Sequence, residues 1–169
     1  MSAVLKLLHS NPVFQSLSEA EQEEFACLSR VREYQKGEFV CHHGDAWPYL
    51  FLLAHGQIDA LKESAEGRSL LVITLYQNEI FWGLTFFDAQ ALMPVSLVTR
   101  KACKIYLWNR ETCLPFLLQH GALSWELSRL MVQRMLRASD MVEELAFQSV
   151  TGRLARLLLE QYPADQLSV

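Results

Sequence analysis

SLVTRKACKIYLWN, residues 96–109, decides the fold. Val95, Leu97 and Thr99 share one side of an extended chain, and after a short RKA turn Cys103, Ile105 and Leu107 do the same. Successive side chains of a strand point to opposite faces, so a period of two marks two half-buried strands and not a helix. Upstream, KGEFVCHHGD (36–45), YLFLLAHGQIDALK (49–62) and SLLVITLY (69–76) are rich in β-branched and aromatic residues. They are punctuated by Lys36-Gly37, Gly44-Asp45, His55-Gly56 and Glu66-Gly67. Short strands separated by such turns predict a small antiparallel barrel or roll beginning near Tyr34.

The flanks are helical, which makes the fold class α+β. Two short amphipathic helices open the chain. The second is announced by Ser18, whose hydroxyl can cap EAEQEEFACLSR (19–30), with Glu21 three residues on. After Asn109 the period becomes 3.6. RETCLPFLLQH (110–120) reads as a short helix with Pro115 near its first turn, and Gly121 separates it from a long one over 122–147. At about 1.5 Å per residue the long helix is roughly 40 Å in length. Met131, Met135, Ala138, Val142 and Leu145 recur on it at spacings of four and three, while Leu123, Leu127 and Leu130 form a neighbouring strip. One strip can cover the barrel while the other pairs with a second copy, so a parallel homodimer is expected; a single amphipathic helix lying on its own core is the other reading. A last helix, SVTGRLARLLLEQY (149–162), ends before Pro163. The expected organisation is a β-roll over 1–119, a dimerisation helix over 120–147, and a further segment over 148–169.

Composition narrows the function. A chain of 169 residues, about half apolar, carries one substantial core plus an appendage. Its net charge of −4 gives no basic footprint for nucleic acid. The absence of an eighteen-residue apolar run and of a signal peptide predicts no membrane contact and a cytoplasmic location. Cys27, Cys41, Cys103 and Cys113 form no C-x-x-C pair and read as reduced, mostly buried thiols. No G-x-S-x-G, P-loop or H-E-x-x-H occurs, and the acidic run EAEQEE reads as a solvated helix face, so the chain is not expected to be an enzyme. His42 and His43 are adjacent on an extended segment and point to opposite faces, so no metal site is expected there.

LAFQSVTGRLARLLL (145–159), which carries LAF, two residues, VTGR, a hydrophobic residue and Ala, follows a barrel and a long helix. With Lys36-Gly37 and Gly44-Asp45 in a K-G-x6-G-D arrangement, this order resembles the CRP/FNR superfamily of bacterial transcription regulators, a resemblance that runs from about His55 to Glu160. It implies a jelly-roll, cyclic-nucleotide-binding-domain-like effector domain and a dimerisation helix. Residues 148–169 would then be the hinge and first helix of a DNA-binding domain. In the family a winged helix-turn-helix follows, and residues 162–169 are too few to hold one, so DNA binding and work with RNA polymerase are expected of a longer parent regulator. Some relatives bind haem; the alternative function is therefore a haem-linked gas or redox sensor on the same fold, with an axial ligand from His9, His42, His43 or His55. Otherwise no cofactor is expected.

Members that bind a cyclic nucleotide share a cassette: Gly for close backbone approach, Glu for the ribose, then Arg followed by Ser or Thr for the phosphate. These fall on Trp82, Gly83, Met93 and Pro94 here, and a shift of one places Gly83 on the Gly and Leu84 on the Glu. Either way the anion-handling groups are gone. A buried phosphate without a cation is costly, and Arg100, the nearest arginine downstream, sits in a turn where a solvated side chain is expected. Trp82, Gly83, Leu84, Met93, Pro94 and Val95, with Ala60, Val72 and Ile73 from neighbouring strands, would give an apolar effector pocket. Arg134, Ala138 and Ser139 stand where relatives contact the base or cross the dimer. Either Trp82 and the phenylalanines fill this cavity, or it takes an apolar ligand.

Overall fold

The computed structural model describes residues 2–64, 66–147 and 152, the side chains of Glu144 and Leu145 excepted. Helix α1 (Ala3–Ser10) is capped by Ser2, whose hydroxyl accepts from the Leu5 N–H at 3.3 Å, and buries Val4, Leu5 and Leu8. A single 3-10 turn over Pro12–Phe14 leads to α2 (Glu19–Cys27). The expected capping box is formed there: the Ser18 N–H and hydroxyl donate to Glu21 Oε2 at 2.7 and 2.8 Å, and the Glu21 N–H donates back to the hydroxyl at 3.4 Å. Each bond satisfies a group that the helix start would otherwise leave unpaired.

Among the described residues eight strands follow: β1 (Arg30–Tyr34), β2 (Phe39–Cys41), β3 (Tyr49–His55), β4 (Ile58–Glu63), β5 (Ser69–Leu75), β6 (Ile80–Trp82), β7 (Ser96–Thr99) and β8 (Cys103–Asn109). They form two antiparallel four-stranded sheets in the orders β1-β8-β3-β6 and β2-β7-β4-β5. The inner faces meet in one apolar cluster that includes Phe51, Leu53, Ile58, Leu97, Ile105 and Leu107. Of the inward set expected of this stretch, Val95, Leu97, Cys103, Ile105 and Leu107 belong to the cluster, and Thr99 is buried as a polar residue. The other face of β8 is buried as well. Trp108 stacks on Phe25 of α2 at 4.7 Å, beside Phe14, and its indole N–H donates to the Phe25 carbonyl at 2.7 Å. β8, an inner strand of its own sheet, is therefore buried on both faces, by the interior of the roll on one and by the aromatic side chains of the N-terminal segment on the other.

Two strands lie outside the runs that the sequence pattern marks. β1 begins four residues before Tyr34; its Arg30, Arg32 and Glu33 are exposed, so it lacks an apolar face to betray it, and its pairing with β8 supplies the stability instead. β6 sits inside the apolar run after Asn78, where nothing alternates.

Helix α3 (Leu84–Phe87) is one turn, and α4 (Arg110–Gln119) is capped by Asn109, whose side chain accepts from the Glu111 N–H at 2.8 Å. Pro115 lies in the second turn of α4 and not in the first, so it removes one intrahelical donor. Helix α5 (Gly121–Phe147) begins after a single intervening residue. The chain divides into two compact units, Met1–Ser124 and Trp125–Val169, whose boundary falls four residues inside α5. Leu123 is fully buried, and the Ser124 hydroxyl donates to the Leu117 carbonyl at 2.7 Å, which ties the first turn of α5 to the first unit. The expected segment 148–169 lies outside the described residues except for Gly152. No helix among the described residues is long and apolar enough to cross a membrane.

Candidate effector site

The site is built where β6 ends against β3. Leu50, Phe51 and Leu52 pair with Trp82, Phe81 and Ile80, and the Gly83 N–H closes the ladder on the Tyr49 carbonyl at 2.9 Å. Gly83 is buried, and a β-carbon on it would collide with the carbonyl oxygen of Trp47. The position therefore needs glycine for close backbone approach. Immediately beyond, Thr85 receives the Trp47 N–H at 3.2 Å and donates to the Ala91 carbonyl at 2.6 Å, which pins α3 and the following loop to residue 47. The loop is tied at its far end too: the Met93 N–H donates to the Asp45 carbonyl and the Gly44 N–H to the Met93 carbonyl, at 2.9 and 2.8 Å.

These anchors drive Met93 inward until it is 2% exposed. It joins Ala60, Val95 and Trp47 in the apolar cluster, with Val72 and Ile73 packed against them. Five of the sequence-derived pocket residues are thus brought together. Trp82 is not in that cluster; it is half-buried, with its ring 6.0 Å from Phe81 and 6.1 Å from Phe87. Leu84 opens α3 on its outer side and is exposed, as is Pro94. Arg134, Ala138 and Ser139 belong to the second unit, where Ala138 and Ser139 are exposed.

A further residue of this interior is Trp47, 5.5 Å from the Tyr49 ring and edge-on to Phe51 at 5.6 Å. Sequence reasoning passed over it because A-W-P after a Gly-Asp turn reads as loop; a tryptophan held beside a proline was the available signal. The environment is dry. Burial pushes the Cys41 thiol up to about 12 and raises Cys103 as well, since a thiolate is disfavoured away from water. Cys41, Cys103 and Cys113 are buried and Cys27 exposed, all as free thiols.

Arg100 is half-exposed but not merely solvated: its Nε lies 3.0 Å from Asp59 Oδ2, and Asp59 also accepts from the Thr74 hydroxyl at 2.7 Å. That guanidinium is committed to a carboxylate of this chain. His42, His43 and His55 are exposed and His9 is half-exposed, and none belongs to the core cluster.

Two antiparallel sheets closed over one core, with a short helix after β6 and helices α4 and α5 after β8, define a jelly-roll-type β-roll. Residues 31–120, over half of the chain, match the model of the cyclic nucleotide-binding domain, and the chain belongs to that family. It is 23% identical over 137 residues to the cAMP-activated global transcriptional regulator CRP of Pasteurella multocida, a match that takes in 81% of this chain and 66% of the relative. It thus spans just under two thirds of that relative's length. Among solved structures, the Catabolite Activator Protein of Thermus thermophilus aligns with a TM-score of 0.72 at 21% identity, over 81% of this chain and 64% of that one. The c-di-GMP responsive global regulator CLP of Xanthomonas campestris aligns at 0.72 and 23%, over 86% and 74%. The resemblance to transcription regulators of the CRP type, expected from about His55 to Glu160, is borne out by these matches.

Proposed function

We propose that this chain is the sensory and dimerisation module of a CRP/FNR-type transcription regulator whose nucleotide seat has become apolar core, so that it binds neither cyclic AMP nor cyclic GMP. The observation that carries this reading is Met93, buried at 2% exposure in the same apolar cluster as Trp47 in the interior of the roll. A cyclic phosphodiester needs a cation or a nest of amides at such a depth. Gly83 leaves no room for a ribose-binding carboxylate, and Arg100 is held by Asp59. The module acts in the cytoplasm through its partners. DNA is contacted by a domain beyond this module, in concert with RNA polymerase.

A parallel homodimer through α5 belongs to the same reading. Met135, Ala138 and Val142 are exposed on α5, Met131 is half-buried, and the Leu145 side chain lies outside the described residues. Trp125, Val132, Leu136 and Met141 add further exposed apolar surface to the helix. Calorimetric titration with each nucleotide tests the first half: binding no tighter than millimolar is expected, and micromolar affinity would overturn it. Sedimentation tests the second: a dimer is expected at micromolar concentration, and a monomer there removes α5 as an interface.

A further inference from the structure

Residues 27–30, CLSR, turn the chain out of α2 into β1, and residues 107–112, LWNRET, turn it out of β8 into α4. Both turns line one cleft of about 410 Å³, within the range of about 300–1,000 Å³ typical of small-molecule sites. Trp47, Gly83 and Met93 do not line it, so it is separate from the site after β6. Strand register fixes its floor. Arg30 pairs with Leu107 and Tyr49 with Asn109, and Leu107 and Asn109 are two residues apart on β8, so all four side chains rise from one face of the sheet. Leu107 belongs to the core cluster there and Tyr49 packs against it, which makes the floor apolar.

The rim carries uncommitted groups of both signs. Arg30 and Glu111 are exposed, and among the described residues neither forms an ion pair, with the other or with any other side chain. Asn109 Oδ1 accepts the Glu111 N–H at 2.8 Å, which leaves the side-chain amide of Asn109 to donate. The Ser29 and Thr112 hydroxyls donate to the Ala26 and Asn109 carbonyls at 2.7 and 3.1 Å, so toward the cleft their oxygens accept. A simple anion here meets the Glu111 carboxylate, and a simple cation meets the Arg30 guanidinium. A zwitterion with an apolar side chain satisfies both charges and the floor together.

We propose that this cleft binds a free α-amino acid with an apolar side chain. Its carboxylate is received by Arg30 and Asn109, its ammonium by Glu111 and the two hydroxyl oxygens, and its side chain lies over Leu107 and Tyr49. Neither the nucleotide question nor the dimer question bears on this site, since it takes nothing from β6 or α3 and lies within residues 1–124.

Cys27 supplies the readout, because it lines the cleft and is exposed while Cys41, Cys103 and Cys113 are buried. Its carbamidomethylation by uncharged iodoacetamide is followed by peptide mass mapping on the whole 169-residue chain, with L-phenylalanine or L-leucine present. At least one of the two should slow the reaction about threefold at ~2 mM, as mass action requires of a site half-filled near 1 mM. Arg30→Ala and Glu111→Gln, both at exposed side chains, should each raise the half-protecting concentration about fivefold, the share of one screened charge pair. The matching acids without the ammonium, phenylacetate and isocaproate, and the matching amines without the carboxylate, phenethylamine and isoamylamine, should protect no better than the amino acid protects these variants. No protection by either amino acid at about 10 mM, equal protection by an acid or amine alone, or protection unchanged in either variant overturns the proposal.

Discussion

The interior of the β-roll and the outer row of α5 are built from the same residue types and meet opposite fates. In the roll, Met93 is 2% and Trp47 is 7% exposed; on α5, Met135 is 64% and Trp125 is 68% exposed. Composition therefore cannot tell a filled cavity from an interface. The distinction lies in who supplies the cover. The roll covers Met93 with its own strands, and apolar surface removed from water is worth about 25 cal/mol per Å². The row from Trp125 to Val142 leaves a comparable reward unclaimed by this chain, which is why it is read as a contact surface for a second copy.

The sharpest way to break the comparison is Trp47→Ala. If Trp47 is the plug of the roll, its removal costs about 3–5 kcal/mol of unfolding free energy, as for other buried aromatic truncations. Urea denaturation reads this, and a loss under about 1 kcal/mol would mean that the interior is not sealed by this ring. Gly83→Ala should follow at up to about 3 kcal/mol, because its new β-carbon meets the rigid Trp47 carbonyl rather than a side chain that can turn away.

On α5 the same kind of change should act on association instead. Val132→Asp with Met135→Asp places two carboxylates in the exposed row. The dimer should weaken by about 2 kcal/mol or more, roughly thirtyfold in Kd by sedimentation. The unfolding free energy of the roll from urea denaturation, measured at a concentration where the protein is monomeric, should change by no more than about 0.5 kcal/mol, as for ordinary surface changes. A double variant that unfolds the roll as severely as Trp47→Ala would erase the contrast between the two regions.

The same contrast explains what could be read from the sequence. Period-two alternation in residues 95–107 and the Ser18–Glu21 box are local rules, and both are present in the structure. β1 was hidden because Arg30, Val31, Arg32 and Glu33 are all exposed, so neither face is apolar, and its pairing with β8 makes it a strand. At the site, Met93 was legible through the cassette that the family resemblance implies, and Ala60, Val72, Ile73 and Val95 as its neighbours in the cavity that the same resemblance implies. Trp47 was not, since its burial depends on the Thr85 and Gly83 contacts made from 36 or more residues away. Likewise Arg100 looked like turn solvent until Asp59, 41 residues earlier, was brought beside it.

The smallest expected effect calibrates the others, because it touches neither the core nor the α5 row. Ser18→Ala removes the hydroxyl that accepts from the Glu21 N–H and donates to Glu21 Oε2, while the Ser18 backbone N–H still reaches that oxygen. Loss of such a cap costs about 1 kcal/mol. The cost should depend on pH in a definite direction. The Glu21 carboxyl is held below its ordinary value of 4.5, chiefly by the Ser18 N–H and then by its hydroxyl. A depressed folded-state value means stability that is fully present above 4.5 and is lost as pH falls through the folded value. The wild type should therefore lose more stability than Ser18→Ala on acidification below about pH 4, and the gap between them should be widest near pH 7 and narrow toward pH 3. Thermal melts at those three pH values measure the gap. If it stayed constant across them, the hydroxyl would be acting independently of the carboxylate, and the box would reduce to a simple serine cap on α2.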